Sequence, residues 1–239
     1  MGAVDVVPFV PLGATTMADC VDVARRFAGH VADRFELPIY LYGHAALTPE
    51  RRLLSAIRGP GFEGLTMAMQ LRGGAPDFGP QRPHPSAGAT AVGVRPFLIA
   101  FNVQLSTADV AVARRIAARV RERDGGLPAV QALGFSLPSR GCAQVSMNLL
   151  DHRLTPLWRL WEEIAGLAAE ESVSPVDSEL VGLAPVAALT DVAEHIGVAL
   201  TRPLEECITL AASWLRIRDF HAGMAIELRL ARPCPSEAD

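Results

Sequence analysis

Three observations predict an α+β fold of two ferredoxin-like α/β subdomains, the first incomplete at its N-terminus. Half of the 239 residues are apolar and only 20% are charged, enough to bury a sizeable core. From residue 96 the hydrophobic periodicities run strand, helix, strand, strand, helix, strand, the order of a split βαβ unit. Ahead of residue 96 they give only strand, helix, strand and one further helix, about half of such a unit, leaving a lone pair of strands. The expected division is 1–94 for the remainder of the N-terminal subdomain and 95–232 for the C-terminal one.

Taken in order, residues 3–10 read as a short strand closed by a proline turn. Thr15 or Thr16 is the expected N-cap of a helix with Asp19 in its first turn and an apolar stripe of Cys20, Val23, Phe27 and Val31. Pro38 stops it, and Ile39-Tyr40-Leu41-Tyr42 is β-rich. Thr48-Pro49-Glu50 reads as a cap and first turn, opening one helix that carries Arg51, Arg52 and Arg58. Residues 59–95, rich in Gly and Pro, read as a single long loop, stiff enough for binding. Beyond it come a strand from Pro96 to Leu105, a helix from Thr107 to Asp124 and strands from Ala129 to Leu137 and Ala143 to Leu149. A helix opened by Thr155-Pro156, a strand at 179–183 and helices near 185–200 and 203–216 follow.

Composition narrows the function classes. Net charge is −4 with both signs interspersed, which makes nucleic acid a poor partner. Apolar stretches such as Pro96–Val103 fall far short of the ~20 residues of a membrane span, and no basic-then-apolar leader opens the sequence, so a cytoplasmic protein is expected. Cys20, Cys142, Cys207 and Cys234 are scattered, without metal spacing to any histidine, and the first three read as buried small hydrophobes. No metal site is expected. Gln144, Ser146 and Asn148 alternate onto one strand face, as a ligand surface or a subunit contact would.

Several blocks resemble the glutamate formiminotransferase family. They are Met1-Gly2-Ala3-Val4-Asp5-Val6, Pro38 to Gly43, Arg51-Arg52 with Ala56-Ile57-Arg58, Ala75 to Pro80, Pro85-Ser86 and Gly88 to Ala91. Phe97 to Asn102, Ala143 to Leu149 and Leu180 to Leu183 continue the match in the family's order to about residue 230. The resemblance implies two α/β subdomains in a homodimer, acting on formiminoglutamate and tetrahydrofolate as co-substrates. It assigns folate binding to Gly79, Pro80, Gln81, Arg82, Pro83, His84, Pro85, Ser86, Ala87 and Gly88. The family's general acid/base is a histidine in a His-Pro-Arg sequence just before Met-Gly-Ala, so the resemblance implies an N-terminally truncated chain with no catalytic residue of its own. Asp5 is then a candidate to orient that histidine.

The chemistry defines the remaining candidates. Amidine transfer needs a group near neutral pKa to move a proton, with a rate effect of roughly 10²–10⁴-fold. His44 and His84 lie in the expected cleft segments, but the family commonly has an acidic and an apolar residue there, so neither inherits the role. His30, His152, His195 and His221 read as helix or element-end residues. Arg51, Arg52 and Arg58 are candidates for the substrate carboxylates, which arginine forks match. Three functions stay open: formimino transfer, formyl transfer from N-formylglutamate, and an inactive folate-binding or dimerising protein.

Overall fold

The computed structural model describes residues 1–231; Cys234 and the expected subdomain end at 232 lie outside them. Two compact units divide between Pro96 and Phe97.

In the first unit, strand β1 (Val6–Phe9) is followed by helix α1 (Met17–Phe35), β2 (Ile39–Gly43), the short helices α2 (Leu54–Arg58) and α3 (Leu65–Gln70), and β3 (Thr90–Val94). The sheet order is β1-β3-β2, with β3 parallel to both neighbours. The expected lone pair of strands therefore has a third between them. The expected single loop over 59–95 is likewise interrupted, by α3 and by β3 itself. Gly93 disguises β3 in the sequence, and the packing explains it: a Cβ there would stand 2.3 Å from the Tyr42 ring.

Thr16 is the N-cap of α1. Its hydroxyl accepts from Asp19 N–H at 3.2 Å while the Asp19 carboxylate accepts from Thr16 N–H at 2.9 Å, a reciprocal capping box. The buried face differs from the expected stripe. Cys20, Ala24, Ala28 and Ala32 are inward, Phe27 and Val31 flank them, and Val23 is 41% exposed. A ridge of small residues every fourth position lets the helix axis come close to Ile39, Leu41, Val92 and Val94 of the sheet, while larger side chains fill the sides.

The helix expected from Thr48 is two elements. Pro49–Arg51 forms a single 3₁₀ turn, Thr48 makes no side-chain cap bond, and Leu53 is extended (ψ 122°) before α2 begins. Arg51 and Arg52 are thereby separated from Arg58.

The second unit runs β4 (Ile99–Leu105), α4 (Val110–Val120), β5 (Val130–Leu137), β6 (Cys142–Leu149), α5 (Leu157–Glu170), β7 (Pro175–Val181), α6 (Val186–His195), α7 (Leu204–Trp214) and α8 (Ile226–Ala231). Its sheet, β5-β6-β4-β7, is antiparallel throughout, which is the ferredoxin-like arrangement the element order predicts. Phe101, Val103, Val145 and Met147 alternate onto the face that shares a core with Ile116, Leu160 and Ile164. Boundaries moved where side chains intervene. Asp109 caps Ala111 N–H at 2.8 Å and starts α4 later than expected. The Thr155 hydroxyl donates to Pro128 O at 2.7 Å instead of capping α5. Strand β7 begins at Pro175 rather than 179, and Cys142 is half-buried rather than buried.

Candidate functional site

The segment from Asp77 to Gly88 is fastened at its start, its middle and its end. At its start, Asp77 and Phe78 N–H both donate to Ile39 O, and Ile39 N–H donates back to Phe78 O at 2.9 Å. The Asp77 carboxylate accepts from Leu41 N–H at 2.7 Å and from the Arg51 guanidinium at 2.8 Å. Gly79 holds φ +81° with Leu37 O where a Cβ would fall, so glycine is required at that approach.

In the middle, Gln81 donates to Met69 O at 2.6 Å, and Arg82 pairs loosely with Glu36 at 3.4 Å on the surface. At the end, His84 and Gly88 exchange both backbone bonds, at 2.8 and 2.9 Å, around Pro85-Ser86-Ala87. The His84 Nδ1 accepts from Ala87 N–H at 3.0 Å and Ser86 N–H at 3.3 Å, which places the proton of the neutral ring on Nε2. Gly88, at φ +68°, leaves 2.5 Å between a would-be Cβ and Met1 O. A cavity of about 310 Å³ opens beside the loop, walled by Phe35, Pro80, Pro83 and Pro85 with Arg34 and Arg82 at its edge. Glu36 also lines it and pairs with Arg82, so the cavity offers flat apolar walls with charges of both signs at the rim.

The three candidate arginines separate. Arg51 is enclosed: beyond Asp77 it donates to Gly73 O and Ala75 O, both at 2.6 Å, and lies 5.0 Å from the Tyr40 ring centre. Its donors are spent on the loop's own backbone, so it acts as a fastener. Arg52 is exposed, and its carbonyl accepts from Gly43 N–H at 3.2 Å. Arg58 pairs with Asp5 at 2.5 Å.

Asp5 also accepts from the Met1 ammonium at 2.9 Å. That bond, together with Arg58, holds its carboxyl below the usual value against some opposing burial. Next to them lies Tyr42, whose hydroxyl burial pushes up, with the charges of Arg95 and Arg58 acting the other way. Tyr42 and Arg95 were not singled out from sequence; the clue was the Tyr-x-Tyr alternation opposite Ala91 and Gly93, where a single methyl group and a bare Cα leave room for the two rings.

The histidines do not converge. His44 is exposed and only its amide is engaged, with Val94 O at 2.8 Å, whereas His84 is turned onto its own loop. In the second unit the polar row on β6 divides: Gln144 is buried against Gln104, their amides 2.7 Å apart, while Asn148 is exposed. Among the described residues no three His, Cys, Asp or Glu gather where a metal could sit, and no helix is long and apolar enough to cross a membrane.

A small parallel unit with a glycine-pinned loop, followed by a ferredoxin-like unit, is matched in order by known domains. Residues 1–95 match the N-terminal subdomain of the formiminotransferase domain, and residues 100–207 match the formiminotransferase domain itself. The chain belongs to the formiminotransferase family. It is similar to the glutamate formimidoyltransferase of Thermoplasma acidophilum, 44% identical over 196 residues covering 81% of this chain and 64% of that protein. The glutamate formimidoyltransferase of Streptococcus pyogenes serotype M1 is 41% identical over 195 residues, 82% of this chain and 65% of that one. The formimidoyltransferase-cyclodeaminase of Mus musculus is 44% identical over 200 residues, 81% and 37% of the two chains. This chain thus spans slightly less than two-thirds of the first two relatives.

Proposed function

We propose that this chain serves the transfer of a formimino group from N-formimino-L-glutamate to tetrahydrofolate. The observation that carries the reading is the ordered match of both formiminotransferase-domain parts along one chain. In the reaction the N5 lone pair attacks the formimino carbon, the bond from that carbon to the glutamate nitrogen breaks, and the N5 proton ends on the departing amine. The protein must hold two anionic partners, one of them with a flat ring system, and supply a proton carrier.

The Gly79–Gly88 loop fits the first task. Its prolines and the His84 cap fix the backbone beforehand, which lowers the entropy lost on binding folate. Arg58, which pairs with Asp5, and Arg95, which donates to Pro96 O, are the arginines we assign to substrate carboxylates, in preference to Arg51, which is enclosed by Gly73 O, Ala75 O and Asp77. Asp5, which pairs with Arg58, is our candidate to orient a cationic or imidazole group. We further propose a cytoplasmic homodimer, which sedimentation would reveal as a mass of about twice 25.5 kDa.

The test is a paired assay of tetrahydrofolate with formiminoglutamate and with N-formylglutamate, alongside calorimetric titration of tetrahydrofolate. Saturable folate binding is the expected result, with any turnover confined to the formimino donor; binding with no turnover of either donor would leave the inactive folate-binding reading in its place. Preference for the formyl donor would replace the donor assignment. Absence of folate binding would remove the whole reading.

A further inference from the structure

We propose that the second unit carries a small-molecule site of its own, a receptor for a zwitterionic α-amino acid with an apolar side chain. A cleft of about 420 Å³ lies between α5, the start of β7 and the end of α7, within the size range of ligand sites. Trp161, Ala165, Pro175 and Trp214 give it apolar walls, and Glu162 and Arg216 bring one charge of each sign. Among the described residues these two charges are not paired with each other. Glu162 accepts from His195 Nε2 at 2.9 Å, which leaves its second oxygen, and Arg216 spends one N–H on Pro175 O at 2.9 Å, which leaves the rest of its fork.

The walls are held in place before any ligand arrives. The His195 ring stacks on Trp158 at 4.0 Å and 7° and meets Trp214 edge-on at 5.7 Å, so one imidazole fixes both the Trp214 indole and the Glu162 carboxylate. Arg216 is held in a left-handed backbone conformation (φ +54°), with its carbonyl accepting from Ser178 N–H at 2.9 Å. Such conformations persist where surrounding structure imposes them, often at ligand clamps.

The charge pattern selects the ligand class. A simple anion entering the cleft would meet Arg216 but face the remaining oxygen of Glu162, and a simple cation would meet Glu162 but face the rest of the Arg216 fork, so a ligand with one charge matches only half of the site. An α-amino acid presents an ammonium to Glu162 and the indole face, a carboxylate to Arg216, and an apolar side chain to the tryptophans. The cleft and the folate loop belong to different units, so failure of the formimino-transfer reading would leave this proposal standing, and the reverse.

All three tryptophans of the chain sit in this cluster, so intrinsic fluorescence reports on it alone. The experiment titrates the 239-residue chain with L-leucine, N-acetyl-L-leucine and L-leucinamide, read by tryptophan emission and by calorimetry. L-Leucine is expected to saturate with a dissociation constant of about 1 mM or tighter, and each capped form to bind about tenfold more weakly or worse. Glu162→Gln and Arg216→Gln, with unchanged circular dichroism, should each weaken L-leucine about tenfold. Because the three ligands are first compared on the unaltered chain, the outcome does not depend on either variant folding. No saturable response to L-leucine up to about 10 mM, or equal binding of the capped forms, overturns the proposal.

Discussion

The two units are held together by different means. In the second, a four-stranded antiparallel sheet buries Phe101, Val103, Val145 and Met147 against α4 and α5, and apolar burial carries the order. In the first, a three-stranded parallel sheet packs on a helix ridge of alanines, and much of its chain is a loop that buries little. Its order comes from individual polar fasteners: Arg51 on Asp77, His84 on Ala87, Gln81 on Met69. Apolar packing is distributed and tolerant, whereas a fastener is local and all-or-none. Among the described residues the loop touches the core only through Phe78 and Ala87, and the fasteners define its shape between those two anchors.

The contrast is broken most directly by deleting one side chain from each kind of support. Phe101→Ala, at a fully buried position, is expected to lower stability by about 3–5 kcal/mol, seen as a large shift of the denaturant midpoint. A loss under about 1 kcal/mol would mean that the second core is not tightly packed. Arg51→Met leaves the Asp77 carboxylate, only 7% exposed, without its cation, and should cost about 3 kcal/mol. Limited proteolysis should then cut between residues 73 and 88 while the second unit stays intact. Cleavage spread over both units would contradict the local character of the fastener.

Smaller effects sharpen the picture. His84→Ala removes the acceptor for two loop amides and should cost about 1 kcal/mol, with faster hydrogen exchange at Ser86 and Ala87. His84→Asn, which offers a side-chain oxygen at a similar reach, should restore part of that protection. Equal exchange in both variants would remove the cap from the account. Thr16→Ala should cost about 1 kcal/mol through loss of the α1 cap, read by thermal melting.

The capping box also has a pH signature. Hydrogen bonds from the Thr16 hydroxyl and amide hold the Asp19 carboxyl below its ordinary value. Its contribution is therefore complete above the unfolded carboxylate pKa and fades as pH falls through the lower, folded one. Thr16→Ala should flatten this part of the acid limb of the stability profile.

What the sequence disclosed follows the same division. The second unit was legible because burial imposes periodicity: the βαββαβ order and the alternation of β6 read directly from apolar spacing. The start of α1 was legible as Thr15 or Thr16 with Asp19 in the first turn, because capping is local, and the structure chooses Thr16. Central strand β3 was hidden, since its glycine answers to a ring on β2 that lies about fifty residues earlier. Thr48-Pro49 carried a sound helix signal, but one 3₁₀ turn satisfied it before Leu53 became extended. The role of Arg51 was beyond reach because its partners, Gly73, Ala75 and Asp77, are long-range in sequence. For the same reason the loop's position was recognisable from motif while its fastening was not.

The central claim is that residues Gly79–Gly88 form a cradle shaped in advance for folate. Hydrogen–deuterium exchange across the chain, with and without tetrahydrofolate, tests it most directly. The His84 and Gly88 amides, bonded to each other's carbonyls, should be protected before ligand is added, and folate should slow exchange further over 79–88. Fast exchange of those two amides in the free chain, or a folate footprint that leaves 79–88 unchanged, would contradict it.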